Sequence, residues 1–123
     1  VSGALLVTDK KYEVDIFMGI GGGPEGVLAA SALSAFDCNF QGRFLFNTEE
    51  EKTRATKMGI IDFNKKYELN EIISGDSIFC ATGITSGDLV SGINVLDNEF
   101  ISETLITHSS SGLKKTIKSK QKI

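Results

Sequence analysis

The chain has 123 residues, 41% of them apolar and 24% charged, with a formal net charge of −3. That balance is ordinary for one globular domain, and its slight acidity excludes a general nucleic-acid binder. No apolar run approaches a membrane span and no signal-peptide layout opens the chain, while Cys38 and Cys80 lack disulfide or metal spacing and read as free thiols of a reducing, cytoplasmic compartment.

Val1 is followed closely by Leu5-Leu6-Val7 with no polar lead-in, so the chain reads as one cut inside a domain. Residues 3–8 predict a first strand and residues 9–11 a polar turn. Residues 14–20 form an apolar run that predicts a second, buried strand. It feeds Gly19-Ile20-Gly21-Gly22-Gly23-Pro24-Glu25-Gly26. Residues 24–36 are Ala/Leu-rich and predict a helix, ended by Asp37-Cys38-Asn39. Residues 41–46 alternate and predict a third strand. Thr48-Glu49-Glu50-Glu51 is a capping box, with acids in the first turn and Lys52, Arg54 and Lys57 later, as the helix dipole favours. Gly59 is the predicted stop of that helix. Residues 69–73 predict a short helix or turn. Residues 77–81 predict a fourth strand, which runs into Thr82-Gly83-Ile84-Thr85-Ser86-Gly87-Asp88. Residues 99–107 and 113–117 are β-like, and the basic tail 118–123 is expected to fray. No internal repeat or linker is present. Alternating strands and helices predict a layered α/β domain with a mixed sheet.

The glycine stretch carries the chemistry. Pro24, the chain's single proline, sits where the first helical residue belongs, since its missing N–H is an orphan there anyway. Free N–H groups at a helix N-terminus favour phosphate, and glycines let the backbone approach it. Glu25 in the first turn would repel phosphate unless a divalent cation lay between them, so the combination points to phosphate plus metal. Two other readings stand beside it. Gly21-x-Gly23-x-x-Gly26 fits the dinucleotide fingerprint, with Glu49 at the spacing of a ribose-binding acid. Alternatively, the glycines only make a tight turn and pack the helix on the sheet.

Other residues favour plainer roles. His108 is the single histidine and, with no orienting partner identifiable from sequence, reads as a solvated surface side chain. Thr82, Thr85 and Asp88 lie in a loop suited to ligand contact. Thr82 and Asp88 are better read as satisfying turn and N-cap groups. The lysines from Lys114 to Lys122 read as guards of an edge strand.

The run VDIFMGIGGGPEGVLAASALSAF closely resembles the signature of class II fructose-1,6-bisphosphatases, of the lithium-sensitive, metal-dependent phosphatase superfamily. QGRFLF, KMGI, SIFCATGITSGDLVSGI and SETLITHSSSGLKKTI continue the resemblance in order, over nearly the whole chain. The resemblance implies a layered sugar-phosphatase fold and hydrolysis of the 1-phosphate of fructose 1,6-bisphosphate in gluconeogenesis, with sedoheptulose 1,7-bisphosphate as a further substrate in some relatives. It implies that Glu25 holds a catalytic Mn²⁺ or Mg²⁺ and that Gly22 meets the sugar phosphate through its backbone, with Gly23 beside it. It also implies a homo-oligomeric, cytoplasmic parent without nucleic-acid or membrane partners. The family's Asp-Pro metal motif and Lys-Pro-Arg clamp are missing, because Gly23 precedes the one proline. Its Asp-Gly-Asp segment would lie ahead of Val1. Residues 1–123 are therefore expected to be a C-terminal α/β portion without its metal-rich N-terminal half, carrying no catalytic residue and inactive alone. A metal-free nucleotide-binding module and a non-catalytic interaction domain are the alternative functions.

Overall fold

The β-branched and aromatic residues between 99 and 117 build the largest sheet. In the computed structural model, which describes residues 1–123, β5 (Glu99–His108) and β6 (Leu113–Lys122) form a ten-residue antiparallel hairpin. Its turn needs Gly112, at φ 61°. The other edge of β5 is shared by β3 (Ile78–Thr82), opposite Thr104 to His108, and β4 (Asn94–Leu96), opposite Glu99 to Ile101. The basic tail does not fray: Lys118 to Lys122 pair with Glu99 to Glu103, and Lys120 salt-bridges Glu99. The lysines do line an outer strand of this sheet, as expected of edge guards.

Helix α2 (Gly23–Leu33) packs on β3 and stops three residues short of the predicted end. Leu5, Ala32, Leu33 and Phe79 form the core, flanked by Val7, Phe40, Leu89 and Leu105. Residues 3–8 are helical and not a strand: α1 (Ser2–Leu5) continues into a 3₁₀ turn at Leu6–Thr8. There Val1 O accepts from the amides of Ala4 and Leu5, and Leu5 is buried against α2. A second 3₁₀ turn covers Lys10–Tyr12.

Residues 14–20 are not a strand either. They run without assigned secondary structure, and none of their backbone groups bonds to another. A strand requires a partner ladder, and this chain offers none beside them. The α/β character is as expected, but every strand pair is antiparallel and the sheet is not mixed. The parallel crossover through α2 would have started from residues 14–20.

Of the strand predicted over 41–46, only β1 (Gln41–Gly42) forms, paired with β2 (Tyr67–Glu68). Phe44 and Phe46 instead join Tyr67 and Phe63 in an aromatic cluster, with centroid distances of 5.3 to 5.8 Å. Helix α3 (Glu49–Lys57) has the predicted capping box, in which the Glu51 amide donates to Thr48 Oγ1 at 3.2 Å and Glu51 accepts from the Thr48 amide. Gly59 ends it at φ 91°. Helix α4 is the expected short turn, Leu69–Ile72.

Thr107 is fully buried in β5, and its hydroxyl has no partner. An unpaired buried hydroxyl costs about 1–3 kcal/mol. Thr107→Val, which keeps the β-branched shape, is expected to stabilise the chain by about 1 kcal/mol. Urea unfolding at neutral pH reads this as a higher midpoint at unchanged slope.

Candidate functional site

The N-terminus of α2 is built as its sequence demands. Gly22 is the N-cap in extended geometry (φ −67°, ψ 150°), Gly23 and Pro24 open the helix, and Glu25 lies in its first turn. The Gly26 amide bonds to Gly22 O at 3.1 Å, whereas the amides of Gly22, Gly23 and Glu25 find no backbone acceptor and no side chain caps the helix. These donors, the helix dipole and the Glu25 carboxylate share one exposed surface. The Glu25 side chain folds back over its own N-cap. A Cβ built on Gly22 collides with Glu25 Oε2. Gly22 therefore leaves room for the carboxylate and does not supply an unusual φ, because the chain's only positive-φ glycines are Gly59 and Gly112.

The rival dinucleotide arrangement lacks its parts. No strand precedes Gly21, and a Cβ at Gly21 or Gly26 meets nothing within 4 Å. Gly26 is thus no close-packing glycine between helix and sheet, as either the fingerprint or a pure packing role requires. Glu49 is an exposed first-turn residue of α3 paired to Lys52 at 2.6 Å.

Nowhere do three His, Cys, Asp or Glu side chains gather to hold an ion. A hard divalent cation takes six or more oxygen ligands, more than any side-chain cluster of this chain supplies. Two clefts, of about 510 and 370 Å³, lie elsewhere, the first beside Tyr12 and Lys114 and the second under Thr85 to Val90.

The loop after β3 is closed on itself. The Ile93 amide donates to Ile84 O at 3.1 Å, Gly87 to Val90 O at 3.1 Å and Gly92 to Ser86 Oγ at 2.9 Å. The Ser91 amide donates to Glu103 Oε2 at 2.6 Å, and hydrogen bonding from the Ser91 side chain, with this amide, holds the Glu103 carboxyl below its usual range. Thr82 bonds across the sheet to Thr104 at 2.8 Å. Asp88 caps no helix, since none follows it, and its carbonyl accepts from the Tyr12 hydroxyl.

His108 has the partners that sequence reasoning missed. Nε2 lies 2.7 Å from Asp76 Oδ2 and Nδ1 lies 2.8 Å from Ser111 Oγ. Asp76 also accepts from the hydroxyls of Ser109 and Ser110 and from the Ser110 amide. Only the pairing of Ile78 with His108 brings residue 76 to the hairpin turn, so no local signal announces it. Hydrogen bonds from Ser109, Ser110 and His108 hold the Asp76 carboxyl far below its ordinary range. A depressed folded-state pKa contributes stability above the ordinary carboxylate range, and that stability is lost as pH falls through the lowered value. Asp76→Asn is accordingly expected to speed amide exchange at Ser110 at neutral pH. The difference from wild type should shrink in strong acid, where both side chains are neutral. Equal exchange at neutral pH would show that Asp76 does not tie the turn down.

Over residues 1–121 the chain matches the family described as bacterial fructose-1,6-bisphosphatase, glpX-encoded. It is 35% identical, over 124 residues, to the D-fructose 1,6-bisphosphatase class 2/sedoheptulose 1,7-bisphosphatase of Synechococcus sp. (strain JA-3-3Ab), covering 90% of this chain and 36% of that protein. It is 36% identical, over 125 residues, to the Fructose-1,6-bisphosphatase 1 class 2 of Escherichia coli (strain K12), covering 90% of this chain and 37% of that protein. The chain thus spans little more than a third of the length of the curated relatives it matches. No helix is long and apolar enough to cross a membrane.

Proposed function

The chain belongs to the bacterial, glpX-encoded fructose-1,6-bisphosphatase family, and we propose that it is a C-terminal α/β portion of a metal-dependent sugar bisphosphatase. The reaction is hydrolysis of the 1-phosphate of fructose 1,6-bisphosphate, a phosphoric monoester, and sedoheptulose 1,7-bisphosphate is a second candidate substrate. The observation that carries this reading is the α2 N-terminus, where unpaired amides and the Glu25 carboxylate share one exposed surface.

Glu25 is the residue proposed to hold a divalent cation, Mn²⁺ or Mg²⁺. Its exposed carboxylate fits one oxygen position of such a site, and the chain's lack of other clustered ligands fits a site completed by residues outside it. The bound cation supplies Lewis acidity toward the phosphoryl group and a more acidic attacking water. The amides of Gly22 and Gly23 orient phosphate oxygens, and the positive end of α2 favours the charge that develops there. Pro24 fixes the φ of the first helical turn, which keeps these donors in place before substrate arrives. A cytoplasmic, homo-oligomeric parent that binds neither nucleic acid nor membrane completes the proposal, and it accords with the two free thiols and the net negative charge.

The test joins this chain to the portion of the Escherichia coli relative outside the matched residues. Phosphate release from fructose 1,6-bisphosphate is expected for the assembly, is expected to disappear with chelator, and should return with Mn²⁺ or Mg²⁺. The chain alone should release none. Turnover by residues 1–123 alone, above a protein-free control, would overturn the assignment of the catalytic residues to another part.

A further inference from the structure

Residues 14–20 are the chain's least explained segment. Ile16, Met18 and Ile20 are 70%, 82% and 87% exposed, and Phe17, although its ring lies over Gly3, is 51% exposed. The run has no assigned secondary structure and bends at Asp15; laid out as a strand, it would put Ile16, Met18 and Ile20 on one face and Phe17 on the other. A strand that is apolar on both faces is the kind that lies inside a sheet with layers on either side. Here its backbone groups also lack partners. Val27 and Leu28 of α2 are also exposed, at 47% and 49%.

The area at stake is large. A folded monomer of this mass exposes roughly 6,400 Å². This chain exposes 8795 Å², with 12 of 123 residues buried. The excess of about 2,400 Å² is well above the ~800 Å² per partner of a standard interface. A second copy paired along residues 14–20 would satisfy one backbone edge and leave the other edge bare in both copies. A larger body is required, and the curated relatives carry nearly two thirds of their length outside the matched region.

We propose that residues 14–20 are a strand-addition surface whose occupant is an extended segment of the bisphosphatase polypeptide outside this chain. Main-chain ladders would give the affinity and the apolar side chains the register. Docking there places the occupant next to Gly22 and Glu25, where the missing cation ligands are needed. The identity of the occupant rests on the function proposed above; the need for one rests on the exposed surface.

The experiment co-expresses residues 1–123 with the portion of the Escherichia coli relative outside the matched residues, and repeats the measurement on the two joined as one polypeptide. Light scattering should show a one-to-one complex. Amide exchange over residues 15–21 should slow by on the order of a hundredfold in both formats. Ile16→Lys with Met18→Lys should abolish the complex while leaving the circular dichroism of the chain alone unchanged, because neither side chain belongs to the core. Glu25→Gln should leave the complex intact. A complex with protected residues 15–21 but no turnover upholds the docking surface and removes the phosphatase reading. Turnover without that protection, a complex indifferent to the two lysines, or protection in a homodimer that the second polypeptide does not alter would each overturn the docking proposal.

Discussion

Glu25→Gln in the assembled enzyme is expected to lower turnover by at least about a hundredfold with little change in thermal stability. Loss of groups that merely support metal ligands costs 10–100-fold, and Glu25 is proposed as a ligand itself. An amide keeps the shape but cannot balance a divalent charge. The side chain is exposed and outside the core, so the fold has no stake in it. Gly22→Ala provides a second arm. The new methyl would take the space of Glu25 Oε2, the far end of a flexible side chain, so the carboxylate should swing away while the helix persists. Activity should fall and the melting temperature should hold. Glu49→Ala should stay near wild type, since Glu49 only pairs with Lys52 on an exposed turn. Loss of activity in Glu49→Ala with retention in Glu25→Gln would reinstate the dinucleotide reading.

Gly92→Ala is expected to destabilise the chain by about 3 kcal/mol, among the largest effects of any small substitution here. A Cβ on Gly92 would stand 2.6 Å from the Ser86 amide nitrogen, 2.7 Å from the Thr85 carbonyl carbon and 2.9 Å from Ile84 O. All three are backbone atoms of a loop closed by its own hydrogen bonds, so none can step aside cheaply. Gly83→Ala should behave alike, because its Cβ would strike Ser91 O. Gly87→Ala in the same loop is the control. Nothing lies within 4 Å of its Cβ and its φ is not positive, so it should be neutral or stabilising by about 0.5 kcal/mol. Denaturant midpoints of the three variants decide the matter. Equal loss in all three would mean that loop flexibility, and not backbone approach, selects glycine.

Much of this protein is legible from local chemistry. The α3 capping box, the Gly59 stop and the proline-led α2 start each depend on residues close together in the chain, and each takes the form its residues predict. The juxtaposition of Gly22 and Glu25 is legible for the same reason: the two are three positions apart. The glycines of the later motif mark a loop, but their task is not visible in sequence. Gly83 and Gly92 are required by the approach of one loop arm to the other, which no local pattern encodes.

The sequence by itself determined the family signature, the phosphate-and-cation character proposed for the α2 N-terminus, the capped helices and the β5–β6 region. Tertiary structure decided the rest, because those outcomes depend on what stands opposite. Residues 3–8 have apolar content that suits a strand, yet they coil into α1 and a 3₁₀ turn because Leu5 finds Ala32 and Leu33 on α2. The lysine tail looks disordered by composition, yet it is held in a ladder because β5 lies alongside. Residues 14–20 have the residues of a buried strand and remain unpaired, because a strand exists only when a neighbour presents its own amides and carbonyls. His108 gains Asp76 by strand register alone, since a one-residue slip of β3 against β5 would move Asp76 out of reach.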